Sequence, residues 1–486
     1  MNDSNPKLKT AAVLFAATML SACAVGPDYK RPDMALPESW SPGQGGQGDT
    51  AAMKANSAPE QWWLLYGDSV LDQLEQEAMA HNADIQVAAA HVLEVRAQLG
   101  ITDADLYPAV TANASESRTK STSVGIVPLP SSVPRIQNFS HATLNASYEL
   151  DLWGKLRRAS EAARADLLSA ESAKDTVNLT LTTQVAQQYF ALVSLDAQEA
   201  VLKRLLASRQ DRIELNKKQL AVGLISEYDL HQSEADVASV QSQLATLGLA
   251  RSKQETALAL LLGRSPRDVM SNSELHRGTP SNPAVTVPDG LPSDLLLRRP
   301  DLRDAEQRLV ALNARIGVAR AQYFPSLSLT AYAGSESAAF SKLFTGPANI
   351  FQFAGSITQP IFNAGRVGYL VDAAEARRNQ ALIQYKQAVA NAFGDVRNAL
   401  SAQDSARQVL TFESARSDAL SQAYKQAGLR YEAGITNRLE LLDVERNYLQ
   451  AQLNLLDAER AQRSAVADLF KAMGGGWKKQ EVAKAP

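Results

Sequence analysis

Two stretches of the chain are variants of one pattern: LAVGLISEYDL at residues 220–230 and YEAGITNRLELL at residues 431–442. Each contains a glycine, Gly223 or Gly434, at the end of a long helix-forming run. Three residues later each has a side chain that commonly begins a helix, Ser226 or Asn437. A C-terminal glycine followed closely by an N-cap residue is typical of a tight turn between two helices. The sequence therefore predicts one helical hairpin in each half of the chain.

An internal duplication explains why the turn occurs twice. Three pairs of glycines share one offset of 211 residues: Gly154 and Gly365, Gly223 and Gly434, Gly263 and Gly474. A single offset at three distant sites indicates a repeat. We predict a first repeat at 69–263, a second at 293–474 and a C-terminal tail at 475–486. The linker at 264–292 contains five prolines, which exclude a continuous helix.

The helices of the hairpins are predicted to be long and supercoiled. No proline lies between Gly154 and Gly223, so this run can form one helix of about 100 Å at 1.5 Å per residue. Leu206, Ile213 and Leu220 recur at seven-residue steps, which is the spacing of coiled coils. Residues 69–107 also have a helical pattern, which ends before Pro108.

Each repeat also contains two segments of alternating apolar and polar residues, each roughly ten residues long. In the first repeat the apolar positions begin at Val110 and resume at Ala142; in the second they begin at Leu327 and Phe351. This length suits tilted membrane strands, although a soluble hairpin packed on a helix has the same period. Four strands cannot close a barrel in lipid, so strands from several copies would have to join.

The start of the chain predicts export and lipid anchoring. The apolar run AAVLFAATML at residues 11–20 follows two lysines and ends just before Cys23, the one cysteine of the chain. We predict a signal peptide at 1–22 and a lipid-anchored tether at 23–68. LSAC at 20–23 resembles a bacterial lipobox, in which the cysteine is acylated; a chance cysteine beside a plain signal is the alternative. In such lipoproteins an aspartate after the cysteine favours the inner membrane, and Ala24 therefore favours the outer one.

Composition excludes several functional classes. Lys and Arg number 49 against 52 Asp and Glu, with no basic block, which argues against nucleic-acid binding. After the signal no run of 18 apolar residues predicts a transmembrane helix. The five histidines show no metal-ligand spacing, and neither a nucleophile turn nor a P-loop motif occurs. We therefore expect no enzyme activity, no cofactor and no metal site.

Motifs along the whole mature chain resemble one family, the TolC-like outer-membrane efflux channels and in particular their OprM/NodT-type lipoproteins. They are CAVGPDYKRP at 23–32, LPSDLLLRRPDLRDAEQ at 291–307, FPSLSLT at 324–330, ITQPIFNAGR at 357–366 and AMGGGW at 472–477. The resemblance implies a mainly α protein with four transmembrane strands per protomer. It also implies a homotrimer in which twelve strands form a β-barrel, continued by a periplasmic α-barrel.

The resemblance further implies a function and partners. Such channels lie in the outer membrane, contact its lipid and extend into the periplasm. They are passive exit ducts for drugs or other small molecules, driven by an inner-membrane pump through a periplasmic adaptor. A type I protein-secretion duct is the runner-up, disfavoured by the lipobox. A lipid-anchored coiled-coil scaffold that never spans the membrane is an alternative from a different class.

Two carboxylates match the pore constriction of the family. Asp443 lies about one and a half turns inside the helix after the second turn, and Glu440 lies one turn earlier on the same face. Repeated threefold, they would form two acidic rings that attract cations. Glu440 serves equally well as the capping-box partner of Asn437, and a solvated or salt-bridged role is the alternative for Asp443.

A gate latch is implied between Asp229 and Tyr431. Both lie within about two turns of the predicted tips, and residues at matching positions hydrogen-bond between helix pairs in the family. Asp229 would also complete a capping box with Ser226, and the two interpretations carry equal weight. A second family contact uses an arginine where this chain has Thr436, so that contact is either absent or made by Arg438.

Overall fold

The computed structural model describes most of the mature chain: residues 24–36, 61–122, 130, 133–271, 276–283 and 298–475. The predicted signal peptide, Cys23 and most of the predicted tail therefore lie outside the described residues.

The first repeat contains four helices and two strands: α1 (Ser69–His81), α2 (Ala83–Ala104), β1 (Ala109–Lys120), β2 (Ile136–Leu150), α3 (Lys155–Ala221) and α4 (Glu227–Leu261). After a short helix α5 (Pro266–Met270), the second repeat contains α6 (Pro300–Ala321), β3 (Ser326–Ser337), β4 (Asn349–Thr358), α7 (Arg366–Glu432) and α8 (Arg438–Ala472). Short 3-10 helices lie at Trp62–Tyr66, Phe340–Lys342 and Gly346–Ala348.

The helical hairpins of the two repeats have equal dimensions. Helices α3 and α7 each contain 67 residues, and α4 and α8 each contain 35. The predicted long helix after Gly154 is confirmed, as is the turn at Gly223. Among the described residues, no helix combines the length and the apolar character needed to cross a lipid bilayer.

The prediction of unbroken helical structure over 69–107 is wrong at Asn82. There α1 ends and α2 begins, because the Asn82 carboxamide oxygen accepts hydrogen bonds from the backbone of Asp84 at 2.8 Å and Ile85 at 3.3 Å. The amide nitrogen of the same side chain donates to the carbonyl oxygen of Leu261 at 2.9 Å. Asn82 thus caps α2 and attaches it to the end of α4.

The second repeat makes a related contact with a different residue. Arg299 donates from Nη1 to the carbonyl oxygen of Ala472 at 3.0 Å. Arg299 follows Asn82 by 217 residues, and Ala472 follows Leu261 by 211. In each repeat, therefore, a side chain bonds the end of the second hairpin helix, α4 or α8, to the start of the helix that directly precedes the strands, α2 or α6.

The four strands form one antiparallel sheet in the order β1-β2-β3-β4. Directly paired residues lie on the same face, and one such row is Val110, Ala146, Ala331 and Phe353. The adjacent row is Thr111, Asn145, Tyr332 and Gln352. The predicted alternation is thus confirmed, since the apolar positions of all four segments share one face of the sheet.

The chain forms two compact units. Of the described residues, the first contains 24–33, 91–171 and 304–386, which include the four strands and the adjoining parts of the helices. Residues 24–33 were predicted to be part of an extended tether, but the structure fixes them by specific contacts. Glu306, which is buried in α6, accepts bonds from Arg31 Nε at 2.7 Å and Nη2 at 2.8 Å and from the Tyr29 hydroxyl at 3.0 Å. Burial and the neighbouring Glu306 carboxylate raise the pKa of Tyr29, so its hydroxyl remains a donor.

Gly26 and Gly317 allow this N-terminal segment to lie directly against α6. A Cβ on Gly26 would lie 2.5 Å from the Cα of Gly317, and the Gly26 φ of +120° also favours glycine. The side-chain amide of Asn313 donates to the carbonyl oxygen of Pro27 at 2.7 Å nearby. The contacts explain why the GP pair of the CAVGPDYKRP motif occurs in the chain at this point.

The second unit contains an aromatic core. Trp62, Trp63 and Tyr66 were also assigned to the tether, yet all three are buried together with Phe190 and Phe470. The Trp62 and Phe470 rings stack with centroids 5.5 Å apart, and the Tyr66 hydroxyl donates to the carbonyl oxygen of Arg463 at 2.7 Å. The tether prediction failed here because large aromatic side chains bury too much apolar surface to remain in a loose linker.

We predict that Gly317→Ala lowers the midpoint of thermal unfolding. The new Cβ would lie 2.7 Å from the carbonyl oxygen of Val25 and 2.9 Å from Cγ of Arg158. Overpacking of this kind costs roughly 1–3 kcal/mol.

Gly100→Ala in α2 is the matched control, because a Cβ there meets nothing within 4 Å. Alanine in a helix interior is about 1 kcal/mol more favourable than glycine, so this variant should unfold at an equal or higher temperature. Circular dichroism melting of both variants makes the comparison. Equal midpoints would contradict the close packing of residues 24–33 on α6.

Candidate functional site

The two helical turns have the same backbone geometry. Gly223 and Gly434 adopt left-handed conformations with φ of +76° and +68°. Leu224 N–H bonds the Gln219 carbonyl at 2.9 Å, and Gly223 N–H bonds that of Leu220 at 2.9 Å. This pair of bonds is a Schellman motif, which satisfies the last carbonyls of α3. The second turn repeats both bonds at equivalent positions, so the ends of α3 and α7 are built alike.

Asp229 completes the predicted capping box at the start of α4. Its Oδ2 accepts from the Ser226 backbone N–H at 3.1 Å and from the Ser226 hydroxyl at 2.7 Å, while its own N–H reaches Ser226 Oγ at 3.4 Å. These hydrogen bonds, with a smaller contribution from the charge of Arg438, lower the pKa of Asp229. The carboxylate is therefore ionised, and Asp229 is partly exposed at the first tip.

The second tip is capped in a different way. Asn437 accepts from the Glu440 backbone N–H at 2.9 Å, as predicted. The Glu440 carboxylate, however, accepts from the Thr436 hydroxyl and lies 3.8 Å from Arg430 Nη1. Glu440 is therefore not engaged as the box partner of Asn437, and about half of its side chain is exposed.

The other predicted site residues are exposed near these tips. Asp443 pairs with Arg446 on its own helix at 2.5 Å and also accepts from Asn447 at 3.4 Å, while half of its side chain is exposed. The Tyr431 hydroxyl makes no hydrogen bond within the described residues, so the predicted bond to Asp229 is not formed within one chain. Glu440 and Asp443 share one helix, as expected.

Arg438 connects the two tips. It donates from Nη2 to Ser233 Oγ in α4, and this serine is buried. Asn216 Nδ2 donates to the same oxygen at 2.7 Å, and the Ser233 hydroxyl donates to the carbonyl oxygen of Asp229 at 2.9 Å. Ser233 is thus the point at which α3, α4 and α8 meet.

Two turns further along α8, a buried carboxylate joins the hairpins again. Glu445 is 7% exposed; its Oε2 lies 3.5 Å from Arg209 Nη2, and its Oε1 accepts from the Tyr424 hydroxyl at 3.3 Å. Arg209 Nη1 lies 3.5 Å from Asp236 of α4. Burial, reinforced by the Glu445 charge, raises the pKa of Tyr424 and keeps the phenol protonated. The cluster therefore links helices of both repeats.

The sequence reasoning missed this cluster, although a signal was present. Arg438 and Glu445 are seven residues apart, so both lie on one face of a supercoiled helix. A charged residue at such a position requires a partner on the facing helix. A search for leucine at seven-residue steps does not find Arg438 or Glu445, because leucine, unlike arginine or glutamate, is the usual residue at a coiled-coil seam.

Within the described part of the chain, no group of three His, Cys, Asp or Glu side chains is arranged to hold a metal ion. The polar side chains at the tips bond to one another and to backbone groups. Their arrangement suits holding helices together and presenting carboxylates to a solution.

Comparison with known proteins identifies the family. The outer membrane efflux protein family matches residues 74–264 and 291–475. The two matched segments start 217 residues apart and end 211 residues apart, which are the offsets of the repeat. The chain belongs to the outer membrane efflux protein family. The resemblance deduced from the motifs is therefore confirmed.

The relatives of this efflux protein span its whole length. It is 34% identical to the cation efflux system protein CusC of Escherichia coli K12 over 463 residues, which cover 95% of this chain and 98% of CusC. It is also 34% identical to the toluene efflux pump outer membrane protein TtgI of Pseudomonas putida over 475 residues, covering 96% and 97%.

Solved structures agree with this assignment. The Campylobacter jejuni CmeC outer membrane channel superposes with a TM-score of 0.86 at 27% identity, covering 94% of this chain and 96% of CmeC. The open state of the Neisseria gonorrhoeae MtrE channel gives 0.82 at 31% identity, covering 94% and 99%. The predicted fold class, long helical hairpins with a four-stranded membrane sheet, is thus confirmed, and the protein is an outer-membrane efflux channel subunit.

Proposed function

We propose that three copies of this efflux protein form a closed duct through the outer membrane and into the periplasm. The observation that carries the proposal is the sheet. Among the described strands, β1 and β4 pair on one side only, while the four strands together present one apolar face. In lipid the open edges leave backbone groups without partners. Pairing β1 with β4 of the next copy closes the sheet, and three copies give twelve strands.

The long helices supply the periplasmic part of the proposed duct. Helices α3 and α7, each of 67 residues, are about 100 Å long at 1.5 Å per residue. We propose that small molecules, including drugs, pass through this duct, delivered by an inner-membrane pump and a periplasmic adaptor. The names of the relatives concern cations, toluene and solvents, and support efflux rather than protein secretion. A scaffold outside the membrane would give the apolar face of the sheet no role.

We further propose that Cys23 carries the lipid anchor. The residues that follow Cys23 are fixed at the end of the sheet where β2 leads into α3. Val25 N–H donates to the carbonyl oxygen of Trp153 at 3.0 Å, and Ala24 lies so close to Gly154 that a Cβ there would be 3.0 Å away. Since Trp153 and Gly154 directly follow β2, an acyl chain on Cys23 would start where the strands enter the membrane.

Mass spectrometry of the mature N-terminus tests the anchor. We expect a chain that begins at Cys23 and carries the mass of a diacylglycerol thioether. A Cys23→Ser variant with a cleavable signal should lack this mass and reach the outer membrane less efficiently. An unmodified Cys23 in the wild-type protein, or cleavage at another residue, would contradict the proposal.

We propose that Asp443 and Glu440 form acidic rings at the periplasmic constriction. Both carboxylates are half-exposed within the first two turns of α8, and neither is buried against the chain that carries it. Three copies around one axis would bring six carboxylates together. Such rings favour cations and attract polyvalent cations that block the pore.

Asp443→Asn should lower the preference of the pore for cations and weaken block by divalent cations. Planar-bilayer recordings of the purified channel measure both properties. Asp404→Asn is the matched control, because Asp404 is a half-exposed aspartate that also pairs with an arginine three residues later, Arg407, at 2.9 Å. Unchanged selectivity in Asp443→Asn, or an equal change in both variants, would place Asp443 outside the pore.

We propose that Tyr431 and Asp229 hold the closed gate in the assembled channel. Asp229 is ionised and partly exposed, and the Tyr431 hydroxyl has no bond to the described residues of its own chain, so each has capacity for a partner across a helix pair. Arg438, bound to Ser233 of the other repeat, takes the place of the second family contact that Thr436 cannot make.

Tyr431→Phe should raise single-channel conductance and antibiotic leakage, because it removes a charge-assisted bond of roughly 1.5–3 kcal/mol per protomer and leaves the cap intact. Tyr228→Phe is the control, since Tyr228 is 74% exposed and lies next to Asp229 in the first turn of α4. Conductance should not change in that variant. If both variants behave like wild type while Asp229→Ala lowers only the melting temperature, the capping role alone is correct.

A further inference from the structure

The membrane sheet ends in a patch of cations on its outward side. Arg118 and Lys120 lie on the same face of β1 as Val110, Ala112 and Ala114, because residues two apart in a strand face the same way. Both are exposed. Arg135, one residue before β2, lies opposite Ser121 on the other face of the hairpin and is not part of this patch. The charged hairpin end thus continues the apolar face directly.

Neither cation has a partner among the residues that the structure describes on either side of the hairpin loop. There the side chains of Arg118 and Lys120 make no hydrogen bond or ion pair. Among the β1 residues on this face, the one carboxylate is Glu116, two residues before Arg118. Pairing across the hairpin places Arg118 opposite Asn138 and Lys120 opposite Ile136, which are uncharged.

The opposite end of the sheet shows a different arrangement. There Lys155 lies 3.0 Å from Glu149, and Arg157 Nε lies 3.2 Å from Asp151 Oδ2. Lys155 and Arg157 beside the helices are thus paired with carboxylates, whereas Arg118 and Lys120 have no such partner among the described residues. The two cations of β1 are therefore available to an external anion.

The position of the patch identifies the anion. From Val110 to Lys120 the strand rises about 33 Å, and a tilt near 40° reduces this to about 25 Å, the height of the apolar band of a membrane barrel. With the helices in the periplasm, Arg118 and Lys120 lie at the boundary of the outer leaflet. There the lipid of an outer membrane is a phosphorylated glycolipid, whose phosphates lie directly above its acyl chains.

We propose that Arg118 and Lys120 bind the phosphate groups of this outer-leaflet glycolipid. Arginine binds phosphate in a two-pronged arrangement, and lysine contributes a compact charge. Ala114, four residues before Arg118 on the same face of β1, lies at the depth of the acyl chains of the same lipid. The proposal rests on the membrane orientation given under Proposed function.

Lipid binding to the purified trimer tests the proposal. The probes are bis-phosphorylated lipid A, dephosphorylated lipid A and phosphatidylglycerol, each titrated into the full-length protein and measured by native mass spectrometry. Wild type should bind the bis-phosphorylated form most tightly. Arg118→Gln with Lys120→Gln should weaken that binding on the order of tenfold or more, since each cation near an anionic lipid surface contributes substantially.

Lys253→Gln in α4 is the matched control, because Lys253 is an exposed cation far along the helical hairpin. It should bind lipid A like wild type. Arg118→Lys should retain most of the binding because it keeps the charge. Heat-modifiable migration on gels confirms that each variant is trimeric.

Three results would overturn the proposal: equal binding by the double variant and wild type, equal binding of the phosphorylated and dephosphorylated forms, or equal binding of phosphatidylglycerol with the same dependence on both cations. If the proposed duct itself were wrong, the result would be different, because the wild-type protein would then form neither trimers nor channels.

Discussion

Backbone hydrogen bonding in lipid is the constraint on which the rest of this structure depends. Strands β2 and β3 satisfy each other and their neighbours, while β1 and β4 carry one open edge each. Water could satisfy these edges, but hydrocarbon cannot. An apolar sheet face with two open edges is therefore incomplete as a single chain. Because of the duplication, each repeat contributes one hairpin to the same sheet. The open edges of this sheet can pair with those of further copies of the chain.

The same duplication organises the helices and shows where the repeats were allowed to diverge. The Schellman turns at Gly223 and Gly434 are alike bond for bond, because a left-handed glycine is the simplest way to end a long helix. The contacts beside them differ: Asp229 bonds Ser226, whereas Glu440 bonds Thr436. The backbone geometry of the two turns is the same, and the capping contacts of the side chains beside them differ.

How much of this was predictable depends on the range of the interaction. Strand parity and the glycine turns follow from local pattern, so Val110 and Phe353 are each correctly predicted on the apolar face of their own strand, whereas their common row comes from the pairing of the strands. Asn82 reads like an ordinary helix residue, and its role depends on the distant Leu261 carbonyl. Likewise Trp62 follows a segment rich in Gly, Pro and Ser, and only its stacking on Phe470 reveals a core residue. Glu445 required knowledge of which helix faces it. Contacts between residues hundreds of positions apart leave no local pattern.

The central claim is that one chain is a third of the functional molecule. Native mass spectrometry of the protein extracted from outer membranes in mild detergent tests it most directly. The account predicts a complex with the mass of three chains, in the same preparation that forms channels in planar bilayers. A channel-forming preparation that contains only single chains, or a closed complex of any other number of copies, would contradict it.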